Sequence, residues 1–285
     1  MLGPTIMSTS TRIPRTMSSI HLPGLVNPHD LSADRQFSMN LARGMEVLRA
    51  FTLADSLLGN REISDRTGLP KPTVSRLTYT LTLLGYLSRV DGLQKYRLGS
   101  GVLSLGYPLL ANMRVRQIAR PIMEKVARET GCTVNLGMRD RTSVVYVDTC
   151  RADQGNVYQP DIGSTRPLLS SAIGRALILA SSQLDRKAIL NRLKVEDPQR
   201  FILEKPLWDA DRSAFPDRGY CYSRGDWRKD IHAVAVPIRQ AKREEPVALN
   251  CTLSAFRPSK DTLEKLAAPL LLEAARQIEV ACGLH

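Results

Sequence analysis

The chain has 285 residues, of which 43% are hydrophobic and 24% charged, and its formal net charge is +12. This length predicts about two domains, and the excess of basic side chains favours a polyanionic partner. The sequence has no apolar run near the roughly 18 residues of a membrane span, and its five cysteines form no CxxC pair, which argues against a disulfide framework or a structural zinc site and favours a reducing cytoplasm.

Residues 1–37 are rich in Ser, Thr, Pro and Met and lack the apolar core of a secretory signal. We predict that they form a disordered leader, and Met7 and Met17 leave open a later start of translation. The first folded domain is therefore expected to begin at residue 38.

Two short helices are predicted next. The first covers residues 40–53, and the second begins at Asn60, a good N-cap, and ends at Gly68, a good residue to follow a helix. The apolar side chains of the first helix recur at helical spacing. They are Leu41, Met45, Leu48 and Phe51.

A third helix is predicted from Lys71-Pro72 to Gly85. Its inward face, at helical spacing, comprises Val74, Leu77, Leu81 and Leu84. Its outward face carries Thr73, Ser75, Arg76, Tyr79 and Thr80. Two helices joined at a glycine, the second with a polar outer face, are typical of a helix-turn-helix.

Residues 86–90 and 93–98 flank Asp91-Gly92, a strong signal for a two-residue hairpin turn. Lys95 and Arg97 share one face of the second strand, where they suit contact with phosphate as well as with plain solvent. A hairpin directly after a helix-turn-helix is a wing. Residues 38–98 are therefore predicted to form a winged helix-turn-helix, whose main use is to place one helix in the major groove of DNA.

Residues 99–116 are predicted to form a linker helix with an apolar side that suits pairing with a second subunit. That side consists of Val102, Leu105, Leu109 and Met113. Pro108 interrupts the pattern and is expected to kink or break the helix.

Residues 117–285 show a mixed pattern of helices and strands. Strands are predicted over residues 132–138, 142–148, 232–238 and 246–253, and helices over 118–131, 170–181, 184–193 and 263–278, with a short helix before Gly219. A sheet with helices on its faces is the natural arrangement, so the fold class is α+β with two domains and a linker.

One strand of this domain has a face that suits either a ligand cavity or solvent. Asn250 and Thr252 alternate there with apolar residues and share their face with Ala248. Arg166 and Arg175 follow Gly163 and Ser164 in the sequence and are candidates to pair with a carboxylate, although such residues are more often surface or interface groups.

Catalytic signatures are missing from the sequence. It contains no GxSxG, HExxH, P-loop or GxGxxG opening a helix, and three of its four histidines lie in the leader or at the C-terminus. We therefore expect no catalytic residues, no metal site and no cofactor, and the chain is not predicted to be an enzyme. A DNA-binding protein without an effector stays open as an alternative.

Several segments resemble the IclR family of transcription regulators. They read TGLPKPTVSRL, LGYLSRVDGLQKYRLGSGVLSLG, ETGCTVNLGMRDRTSVVYVD, IGSTRPLLSSAIGRALILA and RGYCYSRGDWRKDIHAVAVPI. The similarity runs from about Phe37 to Gly283. It implies a winged helix, a linker helix and a GAF-like effector domain in residues 117–285. It also implies homodimers or homotetramers that bind double-stranded operator DNA, respond to a small metabolite and more often repress than activate.

Candidate DNA contacts follow from this resemblance and from the physics of the third helix. Arg76 suits guanine, Thr73 and Ser75 suit bases or phosphates, and Lys71 at the helix start suits a phosphate. Further candidates, for base or backbone contact, are Tyr79, Arg43, Lys95 and Arg97.

Candidate effector contacts are implied by the family. Members that bind small oxoacids use two backbone amides before the PLLSSAIGRAL helix, which here belong to Gly163 and Ser164. They also use an Asp, a Cys and two Ser, and these positions hold Ser223, Ala233, Asn250 and Thr252. The missing acid and thiol argue against a glyoxylate- or pyruvate-like effector and favour a larger or aromatic acid.

Overall fold

A computed structural model describes residues 24–25, 31, 33–151, 160–241, 244–254 and 262–284. The leader predicted over residues 1–37 lies largely outside the described residues. Within it, Leu25 is described and packs against the core of the C-terminal domain.

The N-terminal domain has the predicted winged helix-turn-helix architecture. Its elements are α1 Met39–Arg49, α2 Asn60–Thr67, α3 Lys71–Leu83, β1 Leu87–Val90 and β2 Lys95–Leu98. The Glu62 carboxylate accepts the amide of Gly59 at 2.5 Å, which caps the start of α2. Gly68 ends α2 in the left-handed conformation, where glycine has no steric penalty.

The wing turn differs from the prediction. Val90 pairs with Lys95, so the loop has four residues, 91–94, and the predicted two-residue turn is wrong. Gln94 adopts a positive φ of 48° beside Gly92. The second strand is held from its other side by Leu58, which exchanges backbone hydrogen bonds with Tyr96. This contact with Leu58 helps to fix the position of β2, and it cannot be inferred from the sequence of the turn alone.

The predicted inward face of α1 is also partly wrong. Leu48 is buried, but Leu41 is 66% exposed, and Met45 is exposed as well, as is Leu84 directly after α3. The core of the domain is built instead around Val47, Ile63 and Val74. The exposed residues border a groove of about 550 Å³ between α1, α3 and the next helix.

Two helices follow the wing, α4 Ser100–Asn112 and α5 Arg114–Thr130. Pro108 lies inside α4, so of the two predicted outcomes, a kink or a break, the break is wrong. Proline removes one amide donor, but α4 continues for another turn. The break comes at Met113, whose backbone is extended, just before Val115 becomes buried against the sheet.

A six-stranded antiparallel sheet is the centre of the described C-terminal domain, in the order β5-β4-β3-β8-β7-β6. The strands are β3 Thr133–Asp140, β4 Ser143–Arg151, β5 Thr165–Pro167, β6 Cys221–Arg224, β7 Ile231–Ile238 and β8 Val247–Ser254. The later helices are α6 Ala172–Ala180, α7 Gln183–Glu196, α8 Pro198–Arg218 and, after the π-helical segment Thr262–Ala267, α9 Ala268–Ala281. The short helix predicted before Gly219 is wrong in length: α8 has 21 residues and contains Pro206 and Pro216.

The two faces of the sheet have different neighbours. α5 and α9 cover one face, where Val134, Leu249 and Leu271 belong to one core cluster. α6 covers the other face, where Ile173 packs with small residues of β7 and β8, Ala235 and Ala248. Strand alternation therefore assigns each residue to one side or the other.

A β-bulge breaks this alternation in β4. The register of β3 against β4 shifts at Val147, which is the extra residue. Tyr146 and Thr149 consequently face α6, whereas Val147 and Asp148 both face α5.

Candidate DNA-binding surface and effector site

The outward face of α3 is polar and accessible. Ser75, Arg76 and Tyr79 are exposed and Thr73 is half-buried. Lys71 is exposed at the first position of α3, and its N-cap, Pro70, provides no side-chain cap. Pro72 has no N–H and the Val74 amide donates to the Pro70 carbonyl, so the amides of Lys71 and Thr73 are the ones placed to meet an anion, which the helix dipole favours.

The wing places its two candidate cations differently. Arg97 is exposed, but the Lys95 ammonium lies 2.7 Å from the Glu62 carboxylate. This hydrogen bond from Lys95, together with that from the Gly59 amide, lowers the pKa of Glu62 below its ordinary value. Lys95 thus ties the wing to the start of α2, and much of its charge is compensated within the protein.

Arg43 lies on α1 and is half-buried. Its Nε is enclosed and makes no hydrogen bond to any of the described residues. A buried N–H donor such as this one is stabilised when a hydrogen-bond acceptor is supplied to it.

On the α6 face of the sheet, four polar side chains form a continuous hydrogen-bonded network. The Thr149 hydroxyl donates to Asn135 at 2.7 Å, and the Asn135 amide donates to Asn250 at 3.0 Å. The Asn250 amide in turn donates to the Tyr146 hydroxyl at 3.2 Å. Asn135, Asn250 and Tyr146 are all buried, so the network fixes their orientation.

The other predicted effector residues lie beside this network. Ser223 pairs with Ala233, and Ala233 pairs with Thr252, so the three form one row across β6, β7 and β8. The Thr252 hydroxyl donates to the carbonyl of Thr133 at 3.3 Å, and the Ser223 hydroxyl accepts the Asp226 amide at 3.3 Å. The sheet thus brings the four side-chain positions together.

The two predicted backbone amides flank Tyr146 but are already engaged. The Gly163 amide donates to the Tyr146 carbonyl at 2.8 Å, and the Ser164 amide donates to the Asp161 carbonyl at 2.9 Å. In this conformation both amides already have acceptors within the protein. Binding through them requires the loop to give up these bonds.

Arg166 belongs to the same region and is buried on β5. Its guanidinium carbon lies 4.8 Å from the centre of the Tyr146 ring and 4.5 Å from that of Trp227. Stacking of this kind covers the flat faces of a guanidinium and holds its plane in place.

Arg175, the second candidate for a carboxylate, has a structural role instead. It is fully buried and binds the carboxylates of Asp211 at 2.5 Å and Asp226 at 3.0 Å. It also donates to the carbonyls of Leu169 and Tyr222, each at 2.7 Å. Its donors are used within the protein, and through Asp226 it positions the loop that carries Trp227.

Sequence reasoning missed four residues of this site, namely Asn135, Tyr146, Thr149 and Trp227. A signal for Asn135 was present, because Asn135 alternates with Val134 and Leu136 just as Asn250 does on its own strand. The bulge at Val147 concealed that Tyr146 and Thr149 share a face. Within the described residues, no group of three or more His, Cys, Asp or Glu side chains suits a metal ion.

The candidate effector site is connected to the linker through β4. The fully buried Asp148 accepts Arg120 at 2.8 Å and lies 3.2 Å from the Nε of Arg116. Arg116 also donates to the Val147 carbonyl at 3.0 Å. Because Tyr146 and Thr149 border these residues, the network and the first turns of α5 meet at one strand.

The β3–β4 turn also contacts the DNA-binding domain. Arg49 of α1 pairs with Asp140 at 2.7 Å, and Glu46 of α1 pairs with Arg141. These two charge pairs, which we call the interdomain pairs, join α1 to the same hairpin that carries Tyr146.

Sequence and structure comparisons find related proteins over both domains. Residues 40–91 match the IclR helix-turn-helix domain, and residues 108–280 match the bacterial transcriptional regulator IclR C-terminal domain. No helix of the described part has the length and apolarity needed to cross a membrane.

Individual relatives agree with these matches. The chain is 35% identical over 199 residues to the HTH-type transcriptional regulator TsaQ1/TsaQ2 of Comamonas testosteroni, covering 69% of this chain and 71% of the relative. The structure of an IclR family regulator from Brucella abortus superposes with a TM-score of 0.79 at 41% identity, over 87% of this chain and 94% of that one. An IclR homologue from Microbacterium hydrocarbonoxydans, solved with 4-hydroxybenzoate, shares the fold with a TM-score of 0.62 at 24% identity, over 86% and 99%. The chain belongs to the IclR family of DNA-binding transcription regulators, which is not a family of enzymes.

Proposed function

We propose that this regulator binds a specific operator through α3, represses transcription from it in the cytoplasm, and responds to a small acid in its C-terminal domain. The exposed polar face at the uncapped start of α3 carries the proposal. The hydrogen-bonding groups of this face can exchange water for base edges and phosphates, and its residues do not belong to the apolar core of the domain.

Each exposed residue of this surface has a distinct proposed part. Arg76 donates to guanine O6 and N7 in the major groove, with Thr73, Ser75 and Tyr79 beside it. Lys71 and the first amides of α3 hold a phosphate.

The remaining candidate cations are proposed to contact the phosphate backbone of the DNA. Arg97 of the wing contacts phosphate, and Arg43 finds its missing acceptor there. Lys95 contributes less charge than Arg97, because Glu62 already binds it.

The effector site lies around Tyr146, with Gly163, Ser164, Ser223, Ala233, Asn250 and Thr252 as its proposed lining. Ser223 and Ala233 replace an acid and a thiol with smaller or uncharged groups, which suits a larger acid than glyoxylate or pyruvate. The fold neighbour solved with 4-hydroxybenzoate supports an aromatic acid of this kind.

The active species is proposed to be a homodimer or a homotetramer. α4 has no buried residue, and Leu103, Leu105 and Leu109 are each more than half exposed. A second copy that covers this face of α4 would remove an apolar area which a monomer seldom leaves in water.

The contacts of β4 give a route from effector to DNA. A ligand that moves Tyr146 or Thr149 also displaces Asp148 on the same strand. This displacement changes the ion pairs of Asp148 with Arg116 and Arg120 of α5. The interdomain pairs carry the same displacement to α1. The size of the response is bounded by the difference in the ligand's affinity for the two arrangements.

Fluorescence anisotropy with DNA from the gene's own upstream region, against a scrambled duplex, tests the DNA-binding surface. We expect Arg76→Ala to cost ~1–3 kcal/mol on the operator and to relax sequence preference at one position. We expect Arg97→Ala to weaken both duplexes equally and to lower the salt slope by ~0.9. Arg61→Ala is the matched control, because Arg61 is exposed on α2 and pairs only weakly with Asp65.

Unchanged affinity for Arg76→Ala, or an equal loss on operator and scrambled DNA, would remove Arg76 from sequence reading. A thermal-shift screen with small acids tests the effector. If no acid stabilises a protein that holds its operator, the alternative of a regulator without an effector is favoured.

A further inference from the structure

The groove between α1, α3 and α4, which we call the α1–α3 groove, has no part in the contacts described so far. Its volume is about 550 Å³, within the roughly 300–1,000 Å³ of pockets that hold small molecules. Leu48 and Leu81 are buried in it, and exposed hydrophobic side chains surround them. These are Leu41, Met45, Leu84 and Leu105. An apolar surface of this kind marks a binding site.

The α1–α3 groove has a polar end and an apolar end along α3. Thr73 and Arg76 line it near the start of that helix. Leu77 follows them, and Leu81 and Leu84 line the groove near the end. The helix rises about 16 Å from position 73 to position 84. A groove of this length suits an extended aliphatic chain better than a compact ring.

Arg76 gives the α1–α3 groove its sign of charge. Among the described residues that line the groove, it is the only one with a formal charge. Its side chain is exposed, and its guanidinium pairs with no acid in the part of the chain that the structure describes. Its N–H groups can therefore meet an anion at the polar end of the groove. A matching occupant has an apolar tail and one negative charge.

We propose that the α1–α3 groove binds an aliphatic carboxylate, with the alkyl chain against the leucines and the carboxylate on Arg76, and that this ligand competes directly with operator DNA. The site is separate from the effector site of the C-terminal domain. The binding of the ligand depends on the groove alone, whereas the competition rests on the proposed function, which assigns Arg76 to guanine. A guanidinium that pairs with a carboxylate cannot give the same donors to guanine O6 and N7, so ligand and operator exclude each other there.

Methyl NMR on the full chain tests the binding site, with octanoate and octylammonium as probes of equal chain length and opposite charge. The reporter is the methyl signal of Met45, which is identified by its loss in Met45→Leu. We expect octanoate to shift this signal until it saturates, with an affinity at least ~3-fold higher than that of octylammonium. An exposed charge pair set against an exposed like-charge contact gives a difference of this size.

Leu84→Glu and Leu83→Glu are a matched pair of variants at the end of α3. Leu84 and Leu83 are 62% and 70% exposed, but only Leu84 is among the residues that line the groove. We expect Leu84→Glu to lower the octanoate affinity at least ~5-fold, because it removes apolar contact and adds a charge of the same sign as the ligand. Leu83→Glu should leave the affinity unchanged. If Leu84→Glu does not fold, Leu105→Glu takes its place, since Leu105 lines the groove from α4.

Fluorescence anisotropy with operator DNA tests the competition. Sodium acetate, which has no alkyl tail, replaces octanoate in part so that the salt concentration stays constant. We expect octanoate to raise the apparent Kd for the operator in proportion to its concentration, without a plateau. An allosteric effector instead changes the affinity by a fixed factor and reaches a plateau. Leu83→Glu should respond as the wild type does, and Leu84→Glu should need at least ~5-fold more octanoate.

Several results would overturn the ligand site. These are an unshifted Met45 signal, equal affinities for the two probes, and a Leu84→Glu variant that binds octanoate as the wild type does. A second copy of the chain seated in the groove is revealed by sedimentation. If Leu84→Glu dissociates the wild-type assembly and octanoate leaves Met45 unshifted, the groove is an interface and the ligand is excluded.

The competition and the proposed function fail in different ways. An apparent operator Kd that reaches a plateau with octanoate would overturn the direct competition. Operator binding without any probe is measured on the same preparations. A protein that never holds its operator overturns the proposed function, whereas the Met45 signal still decides whether the groove binds the carboxylate.

Discussion

Removing the buried guanidinium of Arg175 should destabilise the C-terminal domain strongly. Asp211 is only 4% exposed, and Arg175 binds both its carboxylate and that of Asp226. Breaking a buried ion pair from one side costs about 3–5 kcal/mol, because a charge is left without a partner. Arg218 and the Tyr222 amide still hold Asp211 after Arg175→Met, so we expect the lower end, about 3 kcal/mol.

Urea unfolding followed by circular dichroism measures this loss, and a thermal scan should show a midpoint lower by about 6–12 °C. Arg200→Met is the control, because Arg200 is half exposed and pairs with Glu204 one helical turn away; it should cost less than about 0.5 kcal/mol. Arg175→Met combined with Asp226→Asn should recover stability relative to the single change, since Asp226 loses its ion pair with Arg175 whereas Asp211 keeps Arg218. A single-variant loss below about 1 kcal/mol, or a double variant no more stable than the single, would refute this reasoning.

Two further predictions concern the contacts that join elements and domains. The pKa of Glu62 lies below its ordinary value of 4.5, so the stabilisation from its contacts with Lys95 and Gly59 is present above that value and disappears as the pH falls through the lowered pKa. The difference in urea midpoint between the wild type and Glu62→Gln should therefore be largest at neutral pH and disappear in acid. A difference that does not depend on pH would contradict the role given to the ionised Glu62 carboxylate. For the interdomain pairs, a double-mutant cycle on Arg49 and Asp140 should give a coupling of about 0.2–1 kcal/mol, as expected for partly exposed groups, whereas additivity would mean that the pair contributes nothing.

The recognition helix could be predicted almost completely from sequence, because its signals are local. Gly68 and Lys71-Pro72 mark the ends of helices by backbone preferences that do not depend on distant contacts, and the polar run after them identifies the outer face. The wing cations were found for the same reason. That Lys95 is bound to Glu62 could not be found, since the two residues are 33 positions apart.

Errors arose where distant residues decide the local structure. Leu41 and Met45 follow helical spacing, yet they face a groove and not the core, and spacing does not distinguish these two environments. The short helix predicted before Gly219 is in fact the 21-residue α8, which passes through Pro206 and Pro216. Packing of Trp208 against the sheet domain holds that helix in place.

The arrangement of the proposed effector residues could be predicted in part. Strand alternation places Asn250 and Thr252 on one face, whereas the pairing of Ser223 with Ala233 and of Ala233 with Thr252 is seen only in the sheet. The engaged state of the Gly163 and Ser164 amides could not be foreseen, because it depends on the carbonyls of Tyr146 and Asp161. The sequence does not distinguish Arg166 from Arg175. Only the structure shows that aromatic rings stack on Arg166, whereas Arg175 binds buried carboxylates.

The bulge at Val147 has a consequence for how this protein tolerates changes in length. With one residue fewer between Tyr146 and Thr149, β4 would alternate regularly, and either the aromatic ring or the aspartate would be turned to the opposite side of the sheet. A carboxylate turned toward the proposed effector site would repel the acid proposed to bind there, and the two arginines of α5 would lose their ion pairs with Asp148. Side chains in this stretch can therefore diversify as ligands change, whereas deletions and insertions there should be excluded from functional relatives.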